Sequence, residues 1–209
     1  GSFPGVAVAT TATVLEFNGR DVGHQLIVPY FTTQNGQATL ISIVNHDQVN
    51  GKAVKVRFRG AANSDDIFDF TLFLSKGDQW SAAVSQGADG RSVLKTSDKS
   101  CTLPASVATN ADGTAFVTDR LPASASAADK AKGTREGYVE IFNMADIGAG
   151  ALYDAIKHKN GVAPCTDSVL QGTLTTGAAT PGLVAPTSGL LGSWYIMNVP
   201  QTTTFAGSA

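Results

Sequence analysis

The strict alternation of residues 54–59 narrows the folds open to this chain more than any other feature. Apolar and basic side chains follow one another there in the order Val54-Lys55-Val56-Arg57-Phe58-Arg59. Successive side chains of a β-strand point to opposite faces, so this pattern predicts a strand with one buried face and one polar face. After a polar loop, a second run predicts another core face from Phe68, Phe70, Leu72 and Leu74. Half-buried strands of this kind are typical of antiparallel sheets.

Five further segments have the branched and aromatic enrichment of strands: residues 26–31, 38–44, 80–84, 138–144 and 193–199. The Gln34-Asn35-Gly36-Gln37 stretch between the first two predicts a turn, and we expect those two strands to form a hairpin. Both faces of residues 40–44 are largely apolar, which predicts a central strand of a sheet. Residues 150–159 have the spacing of one short helix.

These segments predict a mainly β chain, folded as an antiparallel β-sandwich, Ig-like or jelly-roll-like, with long loop excursions and one short helix. Residues 14–200 are expected to form a single domain, with an excursion at residues 105–132 that is polar and lacks a sustained period. Residues 1–13 are interpreted as an extended N-terminal strand or arm. Residues 201–209 are interpreted as a low-complexity C-terminal tail.

The charge content excludes some partners. Charged residues make up 15% of the chain, against roughly 25% in an ordinary soluble domain, and the formal net charge is -2. The basic residues are scattered, so no stripe of them could neutralise a run of phosphates, and nucleic acid is not an expected partner. No apolar run approaches the length of a membrane span, so no transmembrane segment is expected either.

Cys101 and Cys165 are the two cysteines of the chain, and both lie in polar, turn-rich surroundings. This predicts a disulfide, which would hold down the 105–132 excursion; two unrelated buried thiols are the alternative. A zinc site is disfavoured because two isolated cysteines lack closely spaced partners. A disulfide is typical of secreted proteins, so a location outside the cytoplasm is expected.

The stretch from Ile43 to Trp80 carries a resemblance. It contains Val44-Asn45, Val54-Lys55-Val56-Arg57-Phe58-Arg59, Asn63-Ser64-Asp65-Asp66, Phe68-Asp69-Phe70, Leu74-Ser75, Gly77-Asp78 and Trp80. In these residues the chain resembles uncharacterised exported, cell-surface proteins of Gram-negative bacteria. The resemblance covers less than a fifth of the chain. It implies export and a surface location, and it implies no activity, cofactor or site residue.

Asp65, Asp66 and Asp69 form the best candidate for a metal site, because oxygen ligands in a loop can bind calcium. Their spacing fits no standard calcium loop. In the alternative interpretation, Asp65 and Asp66 face water or pair with Arg57 and Arg59 at the surface. No other cofactor is expected.

The chain lacks the common catalytic motifs, among them the Gly-x-Ser-x-Gly elbow, the His-Glu-x-x-His helix and the phosphate loop. We therefore expect a non-enzymatic protein. The alternative is a hydrolase with a noncanonical site, in which His24 or His46 would meet a serine and a carboxylate in space.

The uncharged N-terminal segment, with small and branched residues at Val6, Val8, Thr10, Ala12 and Val14, predicts a different role. An extended segment of this kind can complete the sheet edge of a neighbouring subunit; the alternative is an ordinary edge strand in its own domain. The leading hypothesis is thus a self-assembling homo-polymer, the subunit of a surface filament or layer. The alternative is a secreted binding module, adhesin-like or for glycans, with Trp80, Trp194 and Tyr195 as an aromatic platform.

Overall fold

The computed structural model describes residues 22–174, 182–198 and 200–209. Its strands are β1 Gln25–Thr32, β2 Gln37–Asn45, β3 Gly51–Gly60, β4 Asp66–Leu74, β5 Gln79–Gln86, β6 Ser92–Lys95, β7 Cys101–Leu103, β8 Thr114–Ala115, β9 Glu136–Ile147, β10 Leu183–Val184, β11 Leu190–Asn198 and β12 Thr203–Ser208. Its α-helices are α1 Ser106–Thr109, α2 Ala127–Gly133, α3 Ala151–Ile156 and α4 Asp167–Gln171.

The strands form two antiparallel sheets. In sheet I the order is β1-β9-β3-β4-β7, and β10 also pairs with β9. In sheet II the order is β12-β11-β2-β5-β6-β8. Buried side chains of both sheets form one large hydrophobic cluster, which includes Val56 of β3, Phe70 of β4 and Ile43 of β2. The predicted mainly β, antiparallel sandwich is confirmed.

The alternation in β3 has the predicted consequence. Val54, Val56 and Phe58 are fully buried between the sheets, whereas Lys55 and Arg57 lie half-buried on the outer face. Burying the three apolar side chains contributes about 1.5 to 3 kcal/mol each. The same pattern therefore determines which face of β3 belongs to the core.

Of two sequence predictions about strand partners, one is confirmed and the other is wrong. Strand β2 lies inside sheet II, as predicted, between β11 and β5. The predicted hairpin of the first two strands is wrong, because β1 pairs with β9 in sheet I and β2 belongs to sheet II. The turn residues Asn35 and Gly36 do adopt positive φ, at 54° and 74°. They carry the chain from one sheet to the other. A turn signal in the sequence predicts that the chain reverses, but it does not determine which strands pair.

The C-terminal residues also differ from the expectation of a tail. Residues 203–208 form β12, which pairs with β11 along its whole length, from Thr203 opposite Asn198 to Ser208 opposite Ser193. The predicted helix at 150–159 is found as α3, and α1, α2 and α4 are further short helices. These three helices lack the long apolar period on which a helix prediction depends.

The 105–132 excursion is part of the sandwich. It contributes α1, β8 and most of α2, and β8 extends sheet II by pairing with β6. Phe116 follows β8 and is fully buried. Its ring centroid lies 4.9 Å from those of Phe58 and Phe68 and 6.0 Å from that of Phe31. The excursion therefore supplies a central side chain of the core.

A second hydrophobic cluster covers one end of the outer face of sheet I. Ala53 and Phe73 of the sheet contact side chains of α3 and α4, which are Leu152, Ile156 and Leu170. The predicted disulfide between Cys101 and Cys165 is confirmed, with an S–S distance of 2.05 Å. It joins β7 to the segment between α3 and α4. The disulfide thus holds this helical cap on the sheet.

Reduction of the disulfide is expected to loosen residues 151–171 before the two sheets and before the 105–132 excursion. The cap loses its covalent link to β7, whereas the excursion keeps Val107 and Phe116 in the main core. The loss of unfolding free energy should be about 2 to 4 kcal/mol. Hydrogen exchange measured with and without reductant checks this, and earlier exchange in the excursion than in the cap would contradict it.

Candidate assembly surface

The sheet edges differ in how they are protected against pairing with another chain. Strand β1 contains Pro29 and an irregular register between Val28 and Phe31. Strand β7 has three residues and is followed by Pro104, and strands β8 and β10 have two residues each. Proline, irregular pairing and short length are the means by which natural sheets prevent edge-to-edge association.

Strand β12 has none of these protections. It is six residues long, Thr-Thr-Phe-Ala-Gly-Ser, without charge or proline. One side pairs with β11 throughout, and β12 ends the order of sheet II within the described residues. Phe205 in its centre is 64% exposed. A regular, uncharged and partly apolar edge of this kind favours pairing with a further strand.

The outer face of sheet II next to this edge is also uncharged. On β12, β11, β2 and β5 the outward positions hold only neutral residues: Thr204, Ala206, Ser208, Leu191, Ser193, Tyr195, Met197, Ala38, Leu40, Ser42, Val44, Gln79, Ser81, Ala83 and Ser85. Tyr195 and Met197 are exposed at the β12 end. We refer to this set as the neutral face.

The outer face of sheet I is different. Its outward positions include Lys55, Arg57 and Arg59 of β3, Asp69 of β4 and Glu140 of β9. The outer face of sheet I is therefore charged, whereas the part of the outer face of sheet II formed by β12, β11, β2 and β5 is neutral, and Lys95 of β6 lies beyond it. Surfaces depleted of charge are typical of the centres of protein interfaces.

The predicted donor residues, Val6, Val8, Thr10, Ala12 and Val14, lie outside the described residues. The structure describes only the sheet edges that could accept such a donor strand. Sequence reasoning did not find β12, because its Gly, Ser and Thr content is typical of a tail. The signal that could have found it is the Pro200-Gln201-Thr202 turn, after which residues 203–208 fold back along residues 193–198 of β11.

The acidic residues proposed for calcium face basic side chains of β3. Asp66 lies 3.5 Å from Arg57, and Asp69 lies 3.7 Å from Arg57 and 3.6 Å from Lys55. Burial raises the pKa of Asp66, and the neighbouring Asp69 carboxylate raises it further. Arg59 pairs with Glu140 at 3.1 Å instead of with Asp65 or Asp66.

Across residues 22–174, 182–198 and 200–209, no group of three or more His, Cys, Asp or Glu side chains has the arrangement of a metal site. Asp66 and Asp69 both form ion pairs with Arg57. Of the surface pairs predicted for Asp65 and Asp66, the described residues contain only the one between Asp66 and Arg57.

The three aromatic residues proposed as a glycan platform do not share a surface. Trp80 is buried in the core, with its ring centroid 5.6 Å from that of Phe70. Trp194 is on the inward side of β11, opposite Ile41, and packs against the core, while Tyr195 points outward. Adjacent residues of a strand face opposite ways, so Trp194 and Tyr195 cannot form one platform.

The histidines proposed for a hydrolase, His24 and His46, are exposed. His158 is the histidine that meets a carboxylate, with Nδ1 3.3 Å from Asp78. The hydroxyls of Ser75 and Ser100 also approach Asp78, at 3.4 and 3.5 Å. Within the described part of the chain, no hydrogen bond joins a serine hydroxyl to a histidine ring, which is the contact a nucleophilic serine requires. Burial raises the pKa of Asp78, against the opposing effect of His158.

A buried polar network at one end of the sandwich was not predicted. Lys52 of β3 is fully buried, and its Nζ lies 2.8 Å from Asp146 Oδ1 and 3.3 Å from Asp47 Oδ2. Burial alone would raise the pKa of Asp47, but the backbone N–H groups of Asn50 and Val49, together with Lys52, outweigh it and lower that pKa. The alternation of β3 contains a signal for this burial that was missed. Lys52 lies two residues before Val54, and residues two apart in a strand share a face, which is here the buried one.

No helix in the described residues is long and apolar enough to span a membrane. Comparisons with known proteins add no further assignment: no family model, curated protein or solved structure matches the chain.

Proposed function

We propose that this protein is a non-enzymatic structural subunit of an extracellular filament or layer, which assembles by β-strand addition. In this proposal the segment with Val6, Val8, Thr10, Ala12 and Val14 of one copy pairs with β12 of the next. The observation that carries it is the uncharged β12 edge beside the neutral face, which no other strand of the described residues covers. Main-chain hydrogen bonds along the edge would provide affinity, and alternate side chains would provide specificity.

Two further observations support a location outside the cytoplasm, at the cell surface. The Cys101–Cys165 disulfide joins segments far apart in sequence, and structural disulfides persist in oxidising compartments. The resemblance of residues 43–80 to exported proteins of Gram-negative bacteria points the same way. A secreted glycan-binding or adhesin-like module stays the alternative prediction, without support from the positions of Trp80, Trp194 and Tyr195.

A charge placed on β12 tests the acceptor. Phe205→Lys should abolish or strongly reduce polymer formation, because a lysine on an edge strand opposes pairing with another chain. The matched control is Val162→Lys, which places the same charge at a 56% exposed apolar residue outside both sheets. Electron microscopy and sedimentation of the native protein measure assembly. Equal polymer formation by the two variants would overturn β12 as the acceptor.

Deletion of residues 1–13 tests the donor. We expect a folded, monomeric domain, because the deleted residues are predicted to pair with a neighbour instead of with their own sheets. Circular dichroism and thermal melting check the fold, and sedimentation checks the assembly. Polymers that form unchanged from the truncated chain would exclude this segment as the donor.

A further inference from the structure

The buried network around Lys52 places an amine against a carboxyl group. Lys52 of β3 and Asp146 of β9 are directly opposite each other in the register of the two strands. Both side chains are excluded from water, and the distance from Lys52 Nζ to Asp146 Oδ1 is 2.8 Å. The strands on which they lie are both inside sheet I, flanked by β1 and β4. The two reactive groups are therefore held together by rigid elements.

Asp47 provides a second carboxylate beside the amine. The backbone N–H groups of Val49 and Asn50 donate to its Oδ1, at 2.8 and 3.0 Å. This leaves Oδ2 directed to Lys52 Nζ at 3.3 Å. A carboxylate at that position can accept a proton from the amine and deliver it to a leaving group.

Hydrogen-bond donors converge on the Asp146 carboxyl group. Asn143 Nδ2 and the Thr187 backbone N–H donate to Oδ1, at 2.7 and 3.3 Å, and the Thr187 hydroxyl donates to Oδ2 at 2.6 Å. Two fixed donors on one carboxyl oxygen are the arrangement that stabilises negative charge on that oxygen during addition to the carbon. The site therefore has a nucleophile, an electrophile, a base and oxyanion donors in contact.

From this arrangement we propose that Lys52 and Asp146 form an intramolecular amide bond. The bond forms between Lys52 Nζ and Asp146 Cγ, and the bond between Cγ and one carboxyl oxygen breaks. The ammonium and the carboxylate together yield one amide N–H and one water, so two protons pass from nitrogen to the departing oxygen, with Asp47 as the relay. No oxidant, reductant or further reactant is needed.

Two physical factors favour the reaction. Well-oriented groups within one molecule react as if present at an effective concentration of about 10⁵ to 10⁸ M, and the strand register holds Lys52 Nζ 2.8 Å from Asp146 Oδ1. A buried ion pair is also costly to keep in a medium of low polarity, whereas an amide carries no charge. The cross-link would join neighbouring strands at the end of the sandwich where the 47–50 turn and residues 187–189 meet. It is independent of the proposed assembly.

Mass spectrometry of the intact, reduced protein tests the proposal. We expect the mass to fall below the mass of the sequence by that of one water molecule. Trypsin should then leave a branched peptide in which residues 21–55 are joined to residues 136–157, without cleavage after Lys52. A full sequence mass, with separate linear peptides, would overturn the proposal and leave an ordinary buried ion pair.

Loss of water can also come from cyclisation at an Asp-Gly sequence, and the chain contains Asp89-Gly90 and Asp112-Gly113. Hydroxylamine cleaves such a cyclic imide and leaves the amide intact, so a branched peptide that survives hydroxylamine supports the cross-link. If the missing water instead maps to residues 89–90 or 112–113, the proposal is overturned.

Variants separate the roles of the residues. Lys52→Arg should restore the full mass, since a guanidinium is a poor nucleophile. Asp47→Asn should leave most of the protein uncross-linked, because the relay is lost while the amine and Asp146 remain. Asp69→Asn is the matched control. Asp69 forms an ion pair with Lys55, which is on the same strand as Lys52, but this pair lies at the surface. A fully cross-linked Asp47→Asn protein would overturn the role of Asp47.

Discussion

Replacement of Asp146 by alanine is expected to lower the free energy of unfolding by about 3 to 5 kcal/mol. The variant leaves the Lys52 amine buried with Asp47 and the Thr187 hydroxyl as its remaining partners, of which only Asp47 carries a negative charge. It also removes one of the two acceptors of Asn143 Nδ2, the other being the Thr187 carbonyl oxygen. A buried amine that keeps one of two carboxyl partners is more costly to the fold than the pair or the cross-link contributes by itself, which explains the size of the effect. Urea denaturation of wild type and variant measures it.

Two controls show whether burial is the reason. Asp69→Ala removes a partner of Lys55 and Arg57 on the outer face of β3, and its effect should stay within about 1 kcal/mol. Adding Lys52→Met to Asp146→Ala should recover part of the lost stability, because the buried charge is then gone. Equal losses for Asp146→Ala and Asp69→Ala would show that the network contributes no more than a surface pair.

Replacement of Phe116 by alanine should cost about 3 to 5 kcal/mol of unfolding free energy, through lost burial and the cavity that remains. The side chain is fully buried and lies against Phe31, Phe58 and Phe68. Those three residues belong to β1, β3 and β4 of sheet I, so the cavity would open in the centre of the core. Thermal and chemical denaturation measure the loss.

The neighbouring residue is the matched control for Phe116. Val117 is 43% exposed, and Val117→Ala should change the stability by no more than about 0.5 kcal/mol. The two variants alter adjacent positions of the same segment, so a difference between them reports burial and not a general effect on the excursion. A small loss for Phe116→Ala would mean that the 105–132 segment folds apart from the sandwich.

Phe116, Lys52 and β12 show why parts of the structure escaped prediction. Phe116 is a single apolar residue in a polar segment, and one residue has no period. The parity of Lys52 did place it with Val54, Val56 and Phe58, but a lysine on a buried face is rare enough that parity alone does not establish burial. Strand β12 became visible only through its pairing with β11.

The sequence predicted only one of the two parts of the proposed assembly contact, the donor strand. The uncharged residues 6–14 indicated a donor strand, and that prediction stays untested because they lie outside the described residues. The proposed acceptor edge could be recognised only from the sheet order, because whether an edge is free depends on which strands lie beside it. Proline residues and short length distinguish the other edge strands from β12. This comparison is possible only when the sheet order shows which strands are edges.

Local patterns along the chain were sufficient for the β class, for the buried faces of β3 and β4, for the α3 helix and for the disulfide between Cys101 and Cys165. Each of these depends on side-chain period or on a pairing with few alternatives. Only the tertiary structure decided that β1 and β2 separate into different sheets, that Phe116 fills the core and that Lys52 meets Asp146. These contacts join residues distant in sequence, and their geometry follows from the packing of two sheets, which no short stretch of sequence contains.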